Sequence, residues 1–137
     1  MNFEKLLEEN KIKEVVKTSL DLSLAERDLV VALHNFEAGD FDWTLSIVYN
    51  AVLQACRAFM FSLGFRPVGK DQHKTVLEFV RLTSLDKNLI DYFNTIRKTR
   101  HIVVYDTPGV VSENLANETI NKAKEFVQEI RTLVHKN

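Results

Sequence analysis

The sequence predicts an all-α domain, a five-helix up-and-down antiparallel bundle preceded by a short N-terminal helix. Three observations carry this. Glycine (4) and proline (2) are scarce in 137 residues, whereas an all-β domain needs a turn signal roughly every 8–12 residues. Apolar residues recur at three- and four-residue steps through most of the chain, the period of a helix buried on one face. Capping-type residues (Ser, Asp) precede those runs and glycine follows several of them. A chain of this length is expected to form one domain over residues 1–137. It would bury about 68% of the surface its unfolded form exposes, enough for a core without disulfides or metal.

Residues 2–9 form the short amphipathic leader, with Asn10 as its stop; residues 10–18 carry no clear period. Ser23 and Glu26 fit a capping box, and Leu22, Ala25, Leu29, Leu33 and Phe36 then make one apolar stripe that Gly39 ends. Asp40 or Asp42 caps the next helix, about 42–63, after a connection so short that the two helices must pack antiparallel. This helix is apolar on most sides (Trp43, Leu45, Ile47, Val48, Val52, Leu53, Phe59, Met60, Leu63), so it is central or lies at a subunit interface. Ala51, Ala55, Ala58 and Ser62 would admit a close neighbour. A loop over 66–70 leads to a helix at 71–82 with Asp71 as its cap, and Ser84 caps a long segment at 85–106. Pro108-Gly109 breaks that segment, and Ser112 caps the last helix. Strand signals are weak everywhere.

Composition excludes several function classes. Cys56 is the only cysteine and sits in an apolar run with no His or Cys at ligand spacing, so buried packing is expected, not redox or metal chemistry. The chain has no glycine-rich phosphate loop, no zinc spacing, no helical Glu-x-x-His pair and no evident serine or cysteine nucleophile. No cofactor and no metal are expected. The acidic amphipathic start MNFEKLLEENKIKE lacks an apolar run of signal length, and no 18 apolar residues run uninterrupted. A cytoplasmic protein without membrane association is the expectation.

The net charge of −1 conceals an uneven layout. Residues 1–56 carry 5 basic and 10 acidic groups, residues 57–101 carry 9 and 4, and residues 102–137 carry 4 and 5. A basic middle third is able to offer one face to phosphates, or its charges are ordinary solvated helix faces. The densest stretch runs from Ile96 to Asp106. On a helix, Arg97, Arg100, His101, Val104 and Tyr105 share an arc of roughly 140°, bordering the stripe of Leu89, Phe93, Ile96 and Val103. Arginine offers a fixed, permanently charged fork for phosphate oxygens, and histidine exchanges a proton near neutrality. The competing reading is structural, with Arg97 and Arg100 paired to acidic neighbours and Tyr105 closing the helix. His73, beside Lys70 and Lys74 at a helix start, either joins a phosphate site or caps and packs. Asn50, Gln54 and Arg57 make a polar line on the apolar third helix that faces either solvent or such a site.

Three features in this order resemble the HEPN superfamily and together span nearly the whole chain. One is the junction Gly39-Asp40-Phe41-Asp42-Trp43 leading into an alanine-rich helix. Another is the loop 69–73 opening the helix Gln72-His73-Lys74-Thr75-Val76. The third is the segment 97–106, where the family carries an arginine followed by a histidine. The resemblance implies a helical bundle that acts as a homodimer, with RNA or a nucleotide at its basic stripe (Arg97, Arg100, His73, Lys74). It also implies a toxin–antitoxin-like setting in which a nucleotidyltransferase is the partner. Active family members cleave RNA without metal. Laid on their pattern, Arg100 takes the arginine position, His101 the neighbouring polar position, and Tyr105 the histidine position. A phenol with an ordinary pKa of about 10 is a poor base at neutral pH. The favoured reading is therefore a non-catalytic binding module. The alternative is a metal-independent endoribonuclease at a dimer cleft that uses Arg97, Arg100 and His101, with Tyr105 positioning the phosphate.

Overall fold

The computed structural model describes residues 1–135, apart from the side chains of Val104 and Tyr105. Its elements in chain order are α1 (Glu4–Glu8), β1 (Ile12–Glu14), α2 (Ser23–Glu37), α3 (Phe41–Leu63), β2 (Phe65–Pro67), α4 (Gln72–Arg81), α5 (Lys87–Tyr105) and α6 (Glu113–His135). This is the predicted all-α bundle, with five substantial helices and a short leader.

The organising element is α3. Leu45, Val48, Tyr49, Val52, Leu53, Ala55, Cys56 and Met60 expose no surface, and α2, α4, α5 and α6 all pack against this helix. A helix apolar on most sides needs neighbours on most sides, and here the chain itself supplies them. Of the two places open to it, α3 takes the centre. By length and composition alone α3 is long and apolar enough to span a bilayer, but it is mostly buried inside the bundle. Trp43, 60% exposed, is the exception at its first turn. Burial also pushes the Cys56 thiol far up, so that it packs as a small hydrophobe.

On α2 four of the five stripe residues meet the core, Leu22 and Ala25 buried and Leu29 and Phe36 packed against it, and Leu33 alone does not. Ala25, Asp28 and Ala32 are buried, while Leu33 is exposed. Small side chains at 25 and 32 allow α2 to lie close on α3, and Asp28 is satisfied by Asn50 Nδ2 of α3 at 3.1 Å. Two of the predicted helix caps do not form. At α2 the N-cap is Leu22, without a side-chain cap bond; the Ser23 amide donates to Asp21 Oδ1 at 3.0 Å and the Glu26 amide to the Leu22 carbonyl, so there is no capping box. At α5 it is Asp86, not Ser84, that accepts from the Asn88 amide at 2.8 Å. A carboxylate accepts more strongly than a hydroxyl and also suits the positive end of the helix. Asp40 caps α3 through the Trp43 amide and Ser112 caps α6 through the Leu115 amide. Asp42 instead reaches across to the α5–α6 loop, accepting from the amides of Gly109 at 2.6 Å and Val111 at 3.4 Å.

No sequence signal marks the antiparallel ribbon β1–β2, in which Ile12, Lys13 and Glu14 face Pro67, Arg66 and Phe65. Three-residue strands are too short to show a period. The ribbon is continued by Val15 N to Gly64 O and Val68 N to Lys11 O, both 2.9 Å. Gly64 closes α3 at φ +90°, and a Cβ there would meet the Val15 carbonyl at 3.3 Å. The ribbon carries the chain to the start of α4. Stacking of Phe3 on Phe79, 4.2 Å between centroids, with Phe65 against both, then fixes α4 on the bundle. That fixes where His73 and Lys74 stand.

Candidate functional site

The second half of α5 faces the first turn of α4 across a cleft of about 1040 Å³. Arg97, Arg100 and His101 lie at helical neighbour spacing, so one helix face presents all three. His73 and Lys74 enter from the first turn of α4, and Arg57 from α3. The five residues singled out on α4 and α5 thus line one cavity, although they come from segments more than twenty positions apart. The Tyr105 side chain lies outside the described residues. Lys98 and Arg57 complete the lining cations; Asp71 is the only carboxylate among the lining residues. Smaller cavities of about 320 and 190 Å³ adjoin the cleft. One shares Lys74, Arg97 and Lys98 and runs along α4 and α5; the other shares Arg57 and contains Gln54 and Phe61.

Among the described residues, none of Arg57, Lys74, Arg97, Lys98 and Arg100 is in an ion pair. The pairing of Arg97 and Arg100 with acidic neighbours does not occur there. Arg97 Nε donates to Asn94 Oδ1 at 3.3 Å, and the Arg100 guanidinium lies over the Tyr49 ring, 5.6 Å from its centroid. Both are neutral partners, so the positive charge stays uncompensated. The polar line of α3 divides: Asn50 turns to Asp28, whereas Gln54 and Arg57 turn to the cavities.

His73 is half-buried, its ring 5.9 Å from that of Tyr49. Burial first, then the charges of Arg57, Arg100 and Arg97, lower its pKa below the ordinary 6.5. It is a neutral imidazole at pH 7. Tyr49 is fully buried, and burial pushes its phenol up to about 12 against the opposing pull of Arg97, Arg100 and Arg57. The α4 start is bare of a side-chain cap: Asp71 takes φ +55° and makes no cap bond, contrary to its expected role, and Gln72 Nε2 instead donates to the Gly69 carbonyl. The positive end of the α4 dipole adds to the same field. Among the described residues, no three of His, Cys, Asp and Glu gather as metal ligands would.

Sequence reasoning left Arg57 undecided and missed Lys98 and Tyr49 as site residues. Arg57 and Tyr49 sit on α3 some forty residues before Arg97, and no periodicity within one helix reports how two helices are rotated against each other.

The fold is an all-α helical bundle with an acid-poor, cation-lined cleft between its third, fourth and fifth helices. The family model of the HEPN domain matches residues 20–133, and the chain belongs to the HEPN family. Among curated proteins, none is significantly similar to the chain.

Proposed function

We propose that this HEPN protein is a binding module that holds the phosphates of RNA or a nucleotide in the cleft between α3, α4 and α5. The observation that carries the reading is the set of five cations, Arg57, Lys74, Arg97, Lys98 and Arg100, with no ion-pair partner among the described residues and Asp71 as the one carboxylate in the cleft lining. Uncompensated guanidiniums that border a core raise each other's energy, and a phosphate removes that cost. The continuation of the cleft past Arg57 toward Gln54 and Phe61 suits a chain of nucleotides. Fluorescence anisotropy with a twelve-nucleotide RNA tests this. If all five cations are engaged, log affinity falls with log salt at a slope of about −3.5, given about 0.7 per neutralised phosphate. A slope near zero, or no binding at low salt, refutes the reading.

One observation favours the endoribonuclease alternative. His73 is neutral at pH 7 and stands among Arg57, Arg97 and Arg100, as a general base beside cations that stabilise a phosphorane would. His101 lines the same cleft and offers a second proton-transfer group. Cleavage of an RNA pool in EDTA, lost in both His73→Gln and His101→Ala, would establish this reading; intact RNA with folded wild type leaves the binding module. A homodimer and a nucleotidyltransferase partner remain proposals carried by family resemblance. A sedimenting species at twice 15.8 kDa would support the dimer.

A further inference from the structure

Beneath the guanidiniums, two buried polar atoms have no hydrogen-bond partner among the described residues: the Tyr49 hydroxyl and Arg100 Nε. Natural structures leave few such groups unpaired, and each that persists calls for an explanation, a partner arriving from outside among them. Tyr49 exposes no surface at all. Its ring touches the rings and planes of two cleft-lining side chains, His73 at 5.9 Å and Arg100 at 5.6 Å. Both of these half-buried side chains also line the open cleft.

We propose that Tyr49 and Arg100 form the deep end of the cleft, a subsite for the terminal phosphomonoester of an RNA end or a mononucleotide. The inference rests on the reading of this cleft as a phosphate site and names the part of the ligand that reaches its floor. An internal phosphodiester carries a sugar on both sides and must have the chain pass through. The floor is closed by the buried face of α3, so a group that reaches it must be an end. A terminal phosphate also brings a second negative charge and three non-bridging oxygens, against Arg57, Arg97 and Arg100 with Asp71 as the lone lining carboxylate. The phenol, held protonated by its burial, donates to one of those oxygens while Arg100 Nε donates to another. Entry requires the His73 ring to rotate aside, a side-chain motion on the first turn of α4.

The test compares three twelve-nucleotide RNAs of one sequence: 5′-phosphorylated, 3′-phosphorylated and unphosphorylated. Wild type is expected to bind one phosphorylated form about tenfold more tightly than the unphosphorylated one, and the favoured end identifies the ligand's polarity. Tyr49→Phe keeps the volume and removes the hydroxyl; it should abolish that preference while Tm stays level or rises, since an unpaired buried group is removed. Arg100→Lys, which keeps the charge but has no Nε donor, should also erase the preference, which guards against a folding defect in the first variant. Equal affinity for the three RNAs, or a preference that survives Tyr49→Phe, overturns the subsite and leaves the cleft reading standing. No binding of any of the three overturns both.

Discussion

The two halves of α5 treat charge in opposite ways. In the first half Asp91 is paired with Arg81 of α4, and Asp86 just before the helix caps it. Two turns later Arg97, Lys98 and Arg100 face the same neighbouring helix without an ion pair among the described residues; Asp71 lies in the cleft lining and Glu78 is paired with Lys11. The residues are of one chemical type and the helices are the same pair. What differs is where the acids fall: the first turn of α4 supplies His73 and Lys74, whereas its last supplies Arg81, itself a cation for α5 to answer. Charge that a fold answers internally serves its surface. Charge left unanswered beside a core, within a concave wall, is kept for something that comes from outside.

That contrast is broken most severely by removing the unanswered pair. Arg97→Ala with Arg100→Ala should weaken RNA binding about a hundredfold, two charge-assisted contacts at about 1.4 kcal/mol each. Tm should hardly move, because neither side chain has an ion-pair partner to leave stranded. A large fall in Tm would make both residues structural and end the site reading.

A smaller effect comes from pH. His73 is faced by Arg57 and Tyr49 from α3, by Arg97, Arg100 and His101 from α5, and by Lys74 and Asp71 on its own segment. In the free protein the burial and the arginines disfavour its protonated form. A bound phosphate favours that form, so binding takes up a proton, and affinity should rise several-fold as pH falls from 7.5 to 5.5. His73→Gln should flatten that rise in a binding isotherm series. The same lowered pKa has the opposite consequence for the unliganded fold. The unfolded chain protonates first, so the stability His73 contributes is present above its ordinary value of 6.5 and is lost as pH falls below it.

The smallest effect is expected where charge is answered. Arg81→Ala removes an exposed ion pair and should cost well under about 1 kcal/mol by urea denaturation, with RNA affinity and salt slope unchanged. Loss of binding in this variant would erase the distinction between the halves of α5.

Most of the fold was legible because helical period, caps and glycine stops act locally. The exceptions have local causes too. Ser84 was outcompeted as a cap by Asp86, two residues away, and Ser23 became the first residue of α2 instead of its cap, its amide held by Asp21. Leu33 was placed in the stripe from hydrophobicity alone, whereas the close approach of α2 to α3 is set by the small residues Ala25 and Ala32, and Leu33 lies outside it. The ribbon at Ile12 and Phe65 is made of strands too short for a pattern. For the site, Arg97, Arg100 and His101 were visible since one helix carries them. Placing His73 and Lys74 opposite them required the packing of α4, and Arg57 and Tyr49 required the rotation of α3, which tertiary contacts decide.

The central claim is that the unanswered arginines, and not the paired ones, meet phosphate. Arginine side-chain NMR reads it directly: the Nε–Hε signals are followed while the twelve-nucleotide RNA is titrated into the labelled protein. The account predicts that Arg57, Arg97 and Arg100 shift along one saturating curve while Arg81 and Arg131, each paired with a carboxylate, stay in place. Shifts led by Arg81 or Arg131, with Arg97 and Arg100 unmoved, would contradict it.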